Sequence, residues 1–169
     1  MHSLQEVCIL QAVMKIKIIA LGKIKEKFLK DGIDEFLKRL TPYASLEIIE
    51  LMPIEIKDEN LTEKVLEQEG EKILALIKPQ SFVITLEING KQFSSEEFAQ
   101  KIEALTNDGV SEIVFVIGSS CGIGKSVSAR ANLKMSISKM TFLHQFARLI
   151  LVEQIYRAFK IIKGETYHK

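Results

Sequence analysis

The sequence predicts an α/β fold: a single domain built on a mostly parallel sheet with helices on both faces. Three observations carry that expectation. Phe82-Val83-Ile84-Thr85-Leu86 and Ile113-Val114-Phe115-Val116-Ile117 are continuously apolar, as in central parallel strands covered on both sides. Strand-like runs alternate with helical patterns along the whole chain, which calls for crossover connections. With 169 residues, 47% of them hydrophobic, the chain can bury one core, and no Pro/Gly/Ser-rich linker or internal repeat divides it.

The elements follow in order. Residues 1–13 (MHSLQEVCILQAV) are mildly apolar but lack the basic start and small-residue cleavage pattern of a signal peptide. They read as a leader or upstream extension, with the domain over 14–169. Met14 opens a strand at 15–21, Lys15-Ile16-Lys17-Ile18-Ile19-Ala20-Leu21. A helix at 25–40, a strand at 46–51 and a helix at 61–77 precede the apolar strand at 82–87. Ser94 with Glu97 forms a capping box that starts a helix at 95–106. The second apolar strand, 113–117, leads to a helix at 125–132, a short strand at about 134–137 and a last helix at 143–162. In such sheets ligands bind beyond the carboxyl ends of the strands. That rule points at Glu87-Ile88-Asn89-Gly90, at Gly118-Ser119-Ser120-Cys121-Gly122, and at Ser138 to Phe142.

The last helix is apolar on more than one stripe. Phe146, Leu149, Ile150, Val152, Ile155, Tyr156, Phe159 and Ile162 spread over well more than a third of its circumference, so it should be buried on two sides. His144, Gln145, Arg148, Glu153, Gln154, Arg157 and Lys160 leave no uncharged stretch long enough for a membrane. One face on its own core and the other on a second subunit is the remaining reading, a homodimer. Glu153 and Arg157 stand in the favourable i, i+4 order. Gly164 is a helix stop, after which Tyr167, His168 and Lys169 end the chain.

The net charge of +1 conceals a segregation. Residues 1–46 carry +3, residues 47–112 carry −9 and residues 113–169 carry +7. An electropositive face and a polyanionic partner are suggested. Cys8 and Cys121 lack metal-ligand spacing and fit a reducing compartment, hence a cytoplasmic protein without a metal.

Gly118 to Ser126 resembles a phosphate loop only in part. Gly124-Lys125-Ser126 matches the end of that motif, but its first glycine would fall at Ser119. The alternatives are a glycine turn from strand to helix, or a turn whose small residues let a flat ligand lie against backbone.

Several segments together resemble the RlmH (YbeA-type) family of SPOUT-class methyltransferases. They are the first strand with Gly22-Lys23-Ile24-Lys25-Glu26-Lys27, then Val83-Ile84-Thr85-Leu86-Glu87, and Phe115-Val116-Ile117-Gly118. Ser138-Lys139-Met140-Thr141-Phe142, Val152-Glu153-Gln154-Ile155-Tyr156-Arg157-Ala158 and Tyr167-His168-Lys169 complete the set, and the likeness runs from Met14 to Lys169. The resemblance implies a homodimer with a C-terminal trefoil knot. It implies methyl transfer from S-adenosylmethionine to N3 of a pseudouridine in 23S rRNA of the assembled ribosome. It places the cofactor on Leu86, Gly118, Ile137, Ser138, Lys139, Met140, Thr141 and Phe142. Ser119 stands where the family usually has a second glycine, and Leu143 where it usually has proline.

Pseudouridine N3 carries a proton at neutral pH, so some group must accept it or stabilise the anion. His168 is the natural base by intrinsic pKa. Tyr167 could stack on or hydrogen-bond the base, and Arg157 could stabilise imide charge or grip a phosphate, or else only pair with Glu153. His144 is read as a positioning residue. Two rival functions stand beside this one: a P-loop-like nucleotide hydrolase, and a non-catalytic ribosome-binding factor of the same fold.

Overall fold

A computed structural model describes residues 13–167. Its strands are β1 (Lys15–Leu21), β2 (Ser45–Leu51), β3 (Phe82–Lys91), β4 (Glu112–Ile117) and β5 (Leu133–Met135). Its helices are α1 (Lys27–Leu40), α2 (Thr62–Leu74), α3 (Ser95–Asn107), α4 (Lys125–Arg130) and α5 (His144–Ile162). The strands lie in the order β2-β1-β4-β3-β5, and every pairing is parallel. All six residues of β4 are buried, as a strand covered on both faces requires.

Side chains alternate across the sheet and so build two cores. Ile16, Ile18 and Ala20 of β1, with Ile113, Phe115 and Ile117 of β4, face α1, α3 and α5. Ile19 and Leu21, with Val114 and Val116, face α2 and α4. The expected α/β architecture with helices on both faces is therefore present. The leader at 1–13 falls, save for Val13, outside the described residues. No described helix is long and apolar enough to cross a membrane.

Several boundaries moved, among them the end of the helix expected at 125–132, which stops at Arg130, and the strand expected at 134–137, which spans 133–135. Three of the shifts have a clear local reason. α1 begins at Lys27 because Glu26 before it is extended, with φ −81° and ψ 121°, while the Lys25 N–H donates to Gln145 Oε1 of α5 at 3.0 Å. α2 ends at Leu74, after which Leu76 and Ile77 donate three residues back and tighten the chain out of the α-helix. β3 continues past Glu87 to Lys91, where a shift in register accommodates the edge strand β5. Gly90 permits that approach, since a Cβ there would stand 2.5 Å from the Met135 carbonyl carbon. The capping box forms as expected: Glu97 N donates to Ser94 Oγ at 3.1 Å, and Ser94 N to Glu97 Oε2 at 2.7 Å.

After β5 the chain passes beyond the ends of β3 and β4 and starts α5 beside the end of β1. Arg148 fixes that docking. Its Nη2 donates to the Gly22 carbonyl at 2.9 Å and its Nη1 to Glu50 Oε1 at 3.1 Å. Leu151, Val152, Ile155 and Phe159 bury the inner face of α5, each contributing about 1.5–3 kcal/mol. The outer stripe, Phe146, Ile150, Glu153 and Arg157, is only partly covered. Phe146 meets Phe28 of α1 at 5.9 Å, and both rings remain exposed.

Candidate active site

A cavity of about 590 Å³ opens beside the second half of β3 and beyond the carboxyl ends of β4 and β5, at the edge of the sheet where ligands of such folds bind. Three segments wall it: residues 86–89 after the middle of β3, residues 117–123 after β4, and residues 136–144 between β5 and α5, with Ala147 closing one side. Leu86, Ile117, Ile137, Met140 and Phe142 give it apolar surfaces, while Ser119, Ser138 and Thr141 bring hydroxyls. Its size falls within the roughly 300–1,000 Å³ of small-ligand sites.

The 118–122 turn owes its shape to glycine. A Cβ on Gly118 would stand 2.3 Å from the Gly122 carbonyl oxygen, so the strand can fold back this sharply only without a side chain. Gly122 N donates to Ser119 O at 3.0 Å, and Gly122 takes a φ of +95°. No described non-glycine residue has positive φ, so Ser119 bears no left-handed strain. Leu143 has φ −56°, close to what proline would have preset, and keeps the entry into α5 without it.

Of the residues assigned to a cofactor, Leu86, Gly118, Ile137, Ser138, Met140, Thr141 and Phe142 line this cavity together. Lys139 is exposed and not among its walls. Sequence reasoning gave His144 only a positioning part, yet it lies in the cavity wall, near Gly22. Burial, and then the charges of Arg148 and Lys25, hold its imidazole below the ordinary histidine range, which favours the neutral form. Arg148, one of the cations behind the +7 charge of residues 113–169, is fully buried and adds nothing to an electropositive face. Only its long spacing from Glu50 and Gly22 hid this, because nothing local marks such a pairing.

Two of the proposed catalytic residues, Arg157 and Tyr167, lie elsewhere in the chain's own fold. Arg157 Nη2 pairs with Glu153 Oε1 at 2.7 Å, and its guanidinium lies 4.7 Å from the centre of the Tyr167 ring. Tyr167 Oη donates to the same Glu153 oxygen at 3.1 Å, and the ring meets Tyr156 edge-on at 4.9 Å. Burial, and then Glu153, raise the Tyr167 phenol above its usual range, so it acts as a donor. Thirteen residues of helix separate His144 from Arg157, roughly 20 Å at 1.5 Å per residue. Within one chain, then, Arg157 and Tyr167 do not meet the cavity. His168 lies outside the described residues.

The phosphate-loop reading loses its geometry. Gly124 packs on α2, where a Cβ would stand 2.6 Å from the Leu66 carbonyl oxygen, and Lys125 pairs with Glu63 of α2. The basic C-terminal third is also less available than its count suggests. Lys125, Arg148 and Lys160 pair with Glu63, Glu50 and Glu165, and Arg130 donates to the carbonyls of Lys78, Pro79 and Ser81. Among the described residues no group of three or more His, Cys, Asp or Glu side chains is placed to hold a metal.

Residues 14–168 match the family described as "Predicted SPOUT methyltransferase". The chain is also similar to the ribosomal RNA large subunit methyltransferase H of Carboxydothermus hydrogenoformans. The two are 55% identical over 160 residues, covering 92% of this chain and 100% of that protein.

Proposed function

The chain belongs to the SPOUT methyltransferase family, and from that premise we propose that it methylates large-subunit ribosomal RNA, at N3 of a pseudouridine. The observation that carries the reading is the cavity itself. It joins the three segments that the resemblance assigned to the cofactor, with apolar walls for a flat purine and backbone groups of two loops at its rim. Leu86, Gly118 and the 137–142 segment would hold S-adenosylmethionine. When bound, the cofactor supplies an electrophilic methyl group on its sulfonium.

The chain's own task is alignment and proton handling. Holding nucleophile and methyl in line can contribute up to roughly 7–11 kcal/mol. The cavity walls fix one partner. Tyr167, Arg157 and His168 are the groups suited to the other: a ring to stack on the base, a cation for the emerging imide charge, and an imidazole to accept the N3 proton.

Arg157 and Tyr167 reach a cavity only if two chains share it. The partly covered outer stripe of α5 supports a homodimer, as do Phe28, Met140, Phe142 and Leu143, all exposed beside it. If two copies of α5 cross antiparallel with the axis near Ile150, residue 157 of one lies opposite residue 144 of the other. The Arg157–Tyr167 end would then complete the second chain's cavity. A trefoil knot, with the chain after β5 threaded through the 118–124 turn, belongs to the same proposal. The path from the sheet edge to Gly22 supports it.

Transfer of labelled methyl from S-adenosylmethionine to ribosomes lacking the modification tests the reading. A chain without residues 164–169 and a Gly118→Ala chain should each be inactive, and a mixture should regain one working site per heterodimer. Calorimetry should show binding of S-adenosylmethionine by the tail-deleted chain. Stabilisation by ATP with magnesium and none by S-adenosylmethionine would restore the nucleotide-hydrolase reading. Binding to ribosomes without cofactor affinity would favour the non-catalytic factor.

A further inference from the structure

Beyond the end of α5 the chain does not simply fray. Glu165 is gripped from two directions before Tyr167 is reached. Tyr43 Oη, from the turn between α1 and β2, donates to Glu165 Oε2 at 2.6 Å. Lys160 Nζ, one turn back on α5, pairs with the same oxygen and also donates to Tyr43 Oη at 3.3 Å. Both donors are themselves held. The Tyr43 ring stacks on Phe159 at 6.3 Å, and the Lys160 side chain is 15% exposed. Gly164, with φ +65°, turns the backbone so that the Glu165 N–H can close on the Lys160 carbonyl at 2.9 Å.

From this closed triangle we infer that Tyr43, Lys160 and Glu165 are positioning residues that aim the tail's reactive end. The inference rests on the function proposed above and names the part of the chain that sets its geometry. With Glu165 fixed, only Thr166 separates the clamp from Tyr167, and two residues separate it from His168. Without the clamp, Tyr167 keeps only its contacts with Glu153, Arg157 and Tyr156, and a misplacement of about 1 Å can cost two orders of magnitude in rate. No clamp residue lines the cavity of its own chain, so its loss should spare cofactor binding.

The test compares wild type with Glu165→Ala, Glu165→Asp and Tyr43→Phe/Lys160→Met, using full-length protein and unmodified ribosomes. Wild type must first methylate. If it does not, the proposed function fails and the clamp is not at issue. Given an active wild type, Glu165→Ala should lower kcat by about tenfold or more. Its S-adenosylmethionine Kd and its KM for ribosomes should stay within about twofold. Adding Glu165→Ala to the Tyr43→Phe/Lys160→Met background should cost little more, because the three act as one unit. Glu165→Asp, which keeps the charge one methylene shorter, should recover part of the rate. Hydrogen exchange should show the amides of 165–167 exchanging faster in Glu165→Ala, with those of α5 unchanged. Wild-type turnover by Glu165→Ala overturns the inference. So does a kcat loss matched by weaker cofactor binding and faster exchange throughout α5, which would mark a purely structural role.

Discussion

Glu50→Ala should destabilise this protein far more than Arg148→Met, although Arg148 is the more buried partner. The Arg148 side chain is 1% exposed and that of Glu50 is 34% exposed, and they meet at 3.1 Å. Burial pushes the guanidinium below its ordinary pKa range, and Glu50 pulls it back. Its Nε has no hydrogen-bond partner, so the ion is held by Glu50 and one carbonyl alone. Removing one member of a buried pair costs about 3–5 kcal/mol, because the other charge is stranded. Water can reach the partly exposed Glu50 position, which lowers the expectation to about 2–3 kcal/mol. For a domain of this size that is a fall in Tm of about 5–10 °C. Arg148→Met removes the buried charge and keeps a long apolar side chain, so its cost should stay below about 1.5 kcal/mol. The double variant should then melt above Glu50→Ala alone. Thermal and urea unfolding at pH 7 measure all three. A Glu50→Ala protein melting within a degree or two of wild type, or below which the double variant falls further, would refute the reasoning.

Gly118→Ala should abolish measurable S-adenosylmethionine binding in calorimetry, because the added carbon collides with backbone at 2.3 Å and the turn must open. Its stability should drop by about 1–3 kcal/mol, the usual cost of overpacking. His144, whose pKa burial holds below the ordinary value, stabilises the fold above about pH 6.5. That contribution is lost as pH falls from there toward its lower folded pKa. The melting temperature of wild type relative to His144→Gln should therefore decline across that interval, and a flat difference would exclude the effect. For the homodimer proposed above, Phe28→Asp should raise the dissociation constant in sedimentation while leaving the monomer's circular dichroism unchanged, since the Phe28 ring is 59% exposed.

Much of this architecture is legible in the sequence because it depends on local pattern. The apolar runs at 82–86 and 113–117 can only be central strands, and Ser94 with Glu97 writes its own helix start. The cavity was legible at one remove. Loops that end parallel strands gather at one edge, and the motif-bearing segments around Leu86, Gly118 and Met140 fall there. What escaped depends on distant partners. Arg148 reads as a surface cation until Glu50 and Gly22, 98 and 126 residues away, are brought to it. Lys125 reads as a phosphate ligand until Glu63 of α2 claims it. The separation between the Tyr167 end and the cavity was equally hidden, because helix length sets it and no motif records helix length.

The docking of α5 beside β1 also constrains when the protein can become itself. Among the described elements, the helix that seals the sheet's larger core is made last, and the strand it seals is made first. Every earlier intermediate during synthesis must carry Ile16, Ile18 and Ala20 without their final cover. Domains usually fold from the amino end as they emerge, but contacts of this sequence span form late and slowly. The sheet's larger core can therefore close only once α5 has been made, with β1 waiting until then for its cover.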